Sequence, residues 1–233
     1  ARNRDFAVLT EGLHDTILDS IALFHGCETG TYPDTLRSIA ARAEGSRSGA
    51  FPELWHYTFP ELVTTVRVPT PMATRTMANY TAAFGFRHDI ELRYAPDRDW
   101  VLEGKVPTRE GYGTVRDIPN TAWMQANDPK KAAAYLKAVN LFQRKYAKFL
   151  LEGRFADTEG FTVMPKNQIV AKRFVAADGT SAVLVWNLSE KTPAVVKIDG
   201  LGKPTAVTEP EVVAVGADAP LAPDTLRLYV FGK

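Results

Sequence analysis

The chain has 233 residues, 45% of them apolar and 24% charged, enough for a buried core and ordinary for a globular protein. Lys plus Arg number 28 against 27 Asp plus Glu; a net charge of +1 argues against a polyanion binder, so no nucleic-acid partner is expected. The single cysteine, Cys27, excludes an intrachain disulfide framework and a cysteine-rich zinc module, and no apolar run approaches the roughly 18 residues of a membrane span.

The chain opens on Ala1-Arg-Asn-Arg-Asp-Phe6 and runs at once into an apolar segment, without an initiator Met or a signal peptide. That opening predicts the C-terminal piece of a longer polypeptide. Residues 5–10 (DFAVLT) read as a buried strand that ends at the turn signal Glu11-Gly12. Over residues 15–24, Ile17, Leu18, Ile21 and Phe24 fall at helical spacing. Residues 26–50 are polar and long for a connection, which favours a functional loop. Residues 51–59 are dense in aromatics and predict a second strand, stopped by Pro60, with a helix to follow.

Met72, Thr76, Tyr80 and Phe84 predict a helix closed by Gly85. Residues 86–92 alternate and predict a third strand, and residues 96–119 read as a loop that carries Trp100 and Tyr112. Asn127-Asp-Pro129 is a helix start, with Asp128 as cap and Pro129 as first helical residue. Tyr135, Val139, Phe142, Tyr146 and Phe149 then form a stripe up to Gly153. Beyond it, short apolar runs over 168–175, 181–187, 193–198, 205–208, 211–215 and 225–231 alternate with turn signals such as Asp178-Gly179. They predict a small antiparallel β-sandwich, with the boundary near residue 155. The first part gives about three βα units. Three cannot close a barrel of eight, so they predict its last portion, the rest being supplied upstream.

In parallel α/β folds the residues after each strand face the site. Those positions hold Glu11, the stretch from His56 to Glu61, and the His88–Glu91 tetrad. Carboxylates held on strand tips suit glycoside hydrolysis: one carboxylic acid protonates the leaving oxygen, and a second carboxylate attacks the anomeric carbon or activates water. Glu11 is the first candidate, because Gly12 lets the backbone turn and present it. A helix-start carboxylate would also explain it. Asp15 reads equally as helix stabiliser or substrate ligand, Glu61 as either a first-turn acid or a site residue, and His56 as either a hydrogen-bonded structural residue or a ligand. Trp100 and Tyr112, in a polar loop, are candidate sugar-stacking platforms; core packing is the plainer account of each. The four histidines show no metal-ligand spacing, and GxSxG, the P-loop and the dinucleotide fingerprint are absent, so neither metal nor organic cofactor is expected.

These residues carry a resemblance. Asp5-Phe-Ala-Val-Leu-Thr-Glu-Gly12 with Asp15, Glu53-Leu-Trp-His-Tyr-Thr-Phe-Pro-Glu61 and Ala83-Phe-Gly-Phe-Arg-His-Asp-Ile90 resemble the later strands of large bacterial (β/α)8 glycoside-hydrolase-like proteins, the DUF6259-type family. The 135–157 segment is similar to their last barrel helix, and residues 169–187 to the opening of their C-terminal β-sandwich. The resemblance implies an α/β chain: residues 1–154 as the C-terminal portion of a (β/α)8 TIM barrel and 155–233 as the sandwich. It implies a glycosidase acting on an oligosaccharide or polysaccharide, completed by an upstream segment. Glu11 matches the later catalytic position and its partner carboxylate falls upstream, which leaves nucleophile and acid unassigned. Such work points to the periplasm or the exterior. The other reading is a non-catalytic carbohydrate-binding or scaffold protein on the same fold.

Overall fold

The computed structural model describes residues 9–11, 23–25, 39, 41, 52–69, 74–91, 129–212 and 214–232. It is a mixed α/β arrangement with two main sheets and helices between them. The parallel sheet consists of β1 (Leu9–Glu11), β2 (Leu23–His25), β3 (Val63–Pro69) and β4 (Arg87–Glu91). Its strands follow one another in sequence order, β1-β2-β3-β4, each parallel to the next.

The helical layer holds α1 (Pro52–Thr58), α2 (Arg75–Ala83), α3 (Pro129–Lys145) and α4 (Ala147–Leu150). Thr74 caps α2: its hydroxyl accepts from the Met77 amide at 3.2 Å. At the other end Gly85, at φ +74°, lets the chain turn left-handed. The Gly85 amide then reaches Ala82 O and the Phe86 amide reaches Thr81 O, the paired closure that satisfies two of the helix-end carbonyls. Eight of the nine α2 residues are buried, because the helix has the parallel sheet on one side and the antiparallel sheet on the other.

The antiparallel sheet has the order β10-β11-β8-β7-β5: β10 (Ala206–Thr208), β11 (Leu226–Phe231), β8 (Ser181–Asn187), β7 (Ile169–Val175) and β5 (Arg154–Asp157). A two-stranded ladder, β6 (Thr162–Met164) with β9 (Lys197–Asp199), lies over its outer face. Strand alternation divides the core accordingly. Ala182, Leu184 and Trp186 of β8, with Leu226 and Leu228 of β11, join the helices and Val66 in one core. Val183, Val185 and Tyr229 turn the other way, onto Phe161, Ala194 and Leu221. Every residue of β8 is therefore buried.

Several expectations need correction. Residues 52–58 form a helix rather than a strand. Pro52 lacks an amide proton, which suits a first helical turn, and Pro52, Glu53 and His56 are buried on one face while Leu54 and Tyr57 are exposed. No helix follows Pro60; a turn leads directly into β3. Leu23 and Phe24 belong to a strand, so four parallel strands stand where about three were expected. The stripe from Tyr135 to Phe149 is seated as expected, but the chain breaks at Tyr146, between α3 and α4. The 211–215 run forms no strand among its described residues; Glu209 and Val212 make an isolated bridge there. The loop over 96–119 and the cap Asp128 lie outside the described residues.

Candidate functional site

Three buried polar clusters stand out, and in each the groups are turned toward one another. The first centres on Asp224, whose backbone takes the left-handed conformation at φ +43° just before β11. Its carboxylate accepts from Asn79 Nδ2 at 2.9 Å, Trp186 Nε1 at 2.9 Å and Thr76 Oγ1 at 2.8 Å. Its carbonyl accepts from Arg75 Nε and Asn79 Nδ2, both at 2.8 Å. Tyr135 donates to Asn79 Oδ1 at 2.6 Å, with the Arg75 guanidinium 3.8 Å from its ring centre. Burial pushes the Asp224 carboxyl upward, while its donors from Asn79, Trp186 and Thr76 pull it back. This cluster joins α2 and α3 to β8 and β11.

The second is Lys172 on β7, whose ammonium is paired with Asp157 and lies 3.7 Å from Glu53 of α1 and 5.0 Å from the Phe84 ring centre. The third is His56. Its Nδ1 lies 2.8 Å from Phe84 O, and since a carbonyl only accepts, the proton sits on Nδ1. The ring stacks on Phe155 at 4.5 Å. Burial lowers its pKa and so favours the neutral ring. A methyl group at Gly85 would fall 2.4 Å from that ring, which is why no side chain fits there.

The parallel sheet is organised differently. Thr64 and Val66 of β3 are buried toward the helices, and His88 of β4 brings Nε2 to 3.3 Å from Ala78 O of α2. Burial pushes His88 down to about 4. Thr64, Val66 and His88 thus meet the helices at alternate positions, and Arg87 reaches the end of α4, where it donates to Leu150 O at 3.4 Å and Leu151 O at 2.8 Å. In the backbone register Leu9, Leu23 and Val63 align, and two residues on, toward the strands' carboxyl ends, Glu11, His25 and Thr65 align. β3 and β4 run further, with Arg67 aligned to Asp89 and Pro69 to Glu91. The four strands thus end on Glu11, His25, Pro69 and Glu91.

The expected site residues fall at different places. Glu11 is the last residue of β1, at that edge. His56 is in α1, and Glu61 is exposed in the turn before β3. Both precede β3 and so lie toward its amino end, rather than after a strand as the sequence suggested. The structure does not bring them together with Glu11. Asp15, Trp100 and Tyr112 lie outside the described residues. Glu91 closes β4 instead of following it. Sequence reasoning passed over the strand that ends at His25. A signal for it existed: Leu9-Thr-Glu11-Gly12 and Leu23-Phe-His25-Gly26 share the pattern Leu, any residue, polar residue, Gly. Among the described residues no three His, Cys, Asp or Glu side chains stand together as a metal site, and no helix is long and apolar enough to cross a membrane.

No protein-family model matches the chain, so the likeness to the DUF6259-type family rests on the residues quoted above. No curated protein matches it. Among solved structures that match is a GH27 β-L-arabinopyranosidase from Geobacillus stearothermophilus, at 13% identity and a TM-score of 0.42 over 91% of this chain and 45% of that one. The chain therefore spans less than half of that enzyme's length.

Proposed function

We propose that the chain is the C-terminal part of a glycoside hydrolase of the (β/α)8 type. Residues 1–154 supply its last barrel strands and helices, residues 155–233 a β-sandwich that buttresses them, and a segment preceding residue 1 completes the barrel. The observation that carries this reading is the position of Glu11. It ends a parallel strand in a sheet whose strands run in sequence order. A singly wound barrel uses that order, whereas a doubly wound sheet reverses it. Active sites of barrels lie at the carboxyl edge, and Glu11 ends its strand there.

In this reading Glu11 is one of two catalytic carboxylates, and the reaction passes through an oxocarbenium-like transition state without metal or organic cofactor. Asp15, Trp100 and Tyr112 contact the glycan. His56 and Glu61, at the opposite end of β3, serve the fold. A protein of this kind works in the periplasm or outside the cell.

The test is hydrolysis of a panel of aryl glycosides and soluble polysaccharides by the full-length protein and its Glu11→Gln variant, with glycan binding measured in parallel. The hydrolase reading expects turnover that the variant loses while binding persists. Binding without turnover in the wild type would favour a non-catalytic carbohydrate-binding protein.

A further inference from the structure

The whole-chain charge of +1 conceals a local excess. Residues 129–151, which include α3 and α4, hold Lys130, Lys131, Lys137, Arg144, Lys145 and Lys148 and not one Asp or Glu. Burial divides α3 into two faces. Tyr135, Val139 and Phe142 are seated in the core, whereas Lys131, Lys137, Leu141, Arg144 and Lys145 are exposed. Lys137, Leu141, Arg144 and Lys145 stand at i, i+4, i+7 and i+8, one stripe of the outer face. Leu141 is 55% exposed within it. Among the described residues Lys148 pairs with Asp178 at 3.3 Å, and no carboxylate pairs with Lys137, Arg144 or Lys145. Lys145 Nζ lies 5.5 Å from the Tyr146 ring centre instead.

Helix stability does not explain this pattern. Arg144 and Lys145, in the last turn, complement the helix dipole. Lys130 and Lys131 fall in the first turn, where the dipole favours acids, and Lys137 lies in the middle. With no Asp or Glu in the helix, no i,i+4 ion pair offsets the repulsion between these cations. A second copy of the chain docked through the same stripe would bring like charge to it. The complement of this face is therefore an anion of another kind.

We propose that the outer face of α3 is a docking surface for an anionic polysaccharide, a chain that carries uronate carboxylates, held outside the catalytic site. That the partner is an anion rests on the stripe; that it is a glycan rests on the hydrolase reading above. A carboxylate offers Arg144 two coplanar acceptors, which a guanidinium binds bidentately, and the lysines act as point charges beside it. Lys137 and Arg144 are about 10 Å apart along the helix axis, so a polymer that repeats its charge meets both at once, as a single small acid does not. A lipid surface fits this helix less well. Its apolar face is turned into the core, and Leu141 is the large apolar side chain it has left to insert.

The test is affinity electrophoresis of the full-length protein through gels containing polygalacturonate, the methyl-esterified polymer or dextran, at several salt concentrations. The proposal expects retardation by polygalacturonate alone, lost as salt rises and weakened by about tenfold or more in Lys137→Glu/Arg144→Glu. Lys137→Arg should be retarded like the wild type. No retardation of the wild type, equal retardation of the charge-reversed variant, or equal retardation by the esterified polymer overturns the proposal. If the charge-reversed variant has a lowered thermal midpoint, Lys137→Gln/Arg144→Gln replaces it, and undiminished retardation of that variant overturns the proposal too. Flotation with phosphatidylglycerol vesicles, without retardation by polygalacturonate, overturns it in favour of a lipid surface. Hydrolysis of a small aryl glycoside separates the two readings. Polyuronate binding without hydrolysis removes only the hydrolase; hydrolysis without polyuronate binding removes only the docking surface.

Discussion

The central strands of the antiparallel sheet are buried on both faces, and their buried charged groups are paired; the parallel sheet packs Thr64, Val66 and His88 on the helices and ends its strands on Glu11, His25, Pro69 and Glu91. In the antiparallel sheet Arg227 shows the rule. It is 1% exposed, yet it pairs with Glu209 at 2.6 Å and donates to the carbonyls of Ala219 and Pro220. Lys172 and Asp224 are treated likewise. Such groups are expensive to bury alone and tolerable only when paired and hydrogen-bonded. In the parallel sheet β2 and β3 are paired by the backbone ladder on both sides, and β1 and β4 on one side each. The contrast teaches where to look for each kind of effect: substitutions in the first region should register in stability, and substitutions in the second in chemistry.

The largest stability effect is expected from Asp224→Ala. It strands donors from Asn79, Trp186 and Thr76 in a buried joint and should cost about 4 kcal/mol, read from urea unfolding, with turnover per folded molecule unchanged. A loss below about 1 kcal/mol would mean that water replaces the carboxylate and that the joint is less closed than described. Gly85→Ala comes next, at about 3 kcal/mol. It sets a side chain in the left-handed region, 2.4 Å from the His56 ring. If His56→Ala in the same chain relieves part of that cost, steric contact with the ring is confirmed as its source.

The pH dependence is smaller and has a definite sign. His88 falls from its ordinary 6.5 to about 4 through burial, and His56 is lowered too. Between those values the unfolded chain binds more protons than the folded one. Stability is therefore full above pH 6.5 and is lost as the pH falls toward 4, by about 1 kcal/mol per pH unit for one such group. Asp224, raised by burial, acts in the opposite sense. Urea midpoints measured from neutral pH downward should fall through this window, and a flat profile would show that His88 is protonated in the folded state. The smallest effect belongs to Tyr57→Phe. The hydroxyl donates to Glu159 at 2.7 Å on an exposed surface, and its loss should leave the thermal midpoint unmoved within error.

The same division explains what was legible in the sequence. β7, β8 and β11 could be read because each is long enough to alternate, and α3 because Pro129 opens it and Tyr135, Val139 and Phe142 repeat on one face. α1 was misread because Trp55, Tyr57 and Phe59 alternate like a strand. Pro52 and the spacing of Glu53 and His56 were the stronger signal. β2 was hidden because Phe24 completes a helical spacing with Ile17 and Ile21, while three residues are too few for alternation to show. The Asp224 and Lys172 clusters had no local signature at all: Asn79 and Asp224 lie 145 residues apart in the chain. At the edge of the parallel sheet, the end of β1 at Glu11 was legible from the Gly12 that follows it in the sequence. His25 was not singled out, because its relation to Glu11 exists only once two strands are placed in register.

The most direct test of the contrast is to measure turnover and thermal midpoint on one preparation of the full-length Glu11→Gln variant. The account predicts aryl-glycoside turnover lowered by about 10³-fold or more, at a midpoint equal to that of the wild type. A lowered midpoint with turnover retained would contradict it, and would make Glu11 a stabilising residue of the chain that follows β1 rather than part of the chemistry.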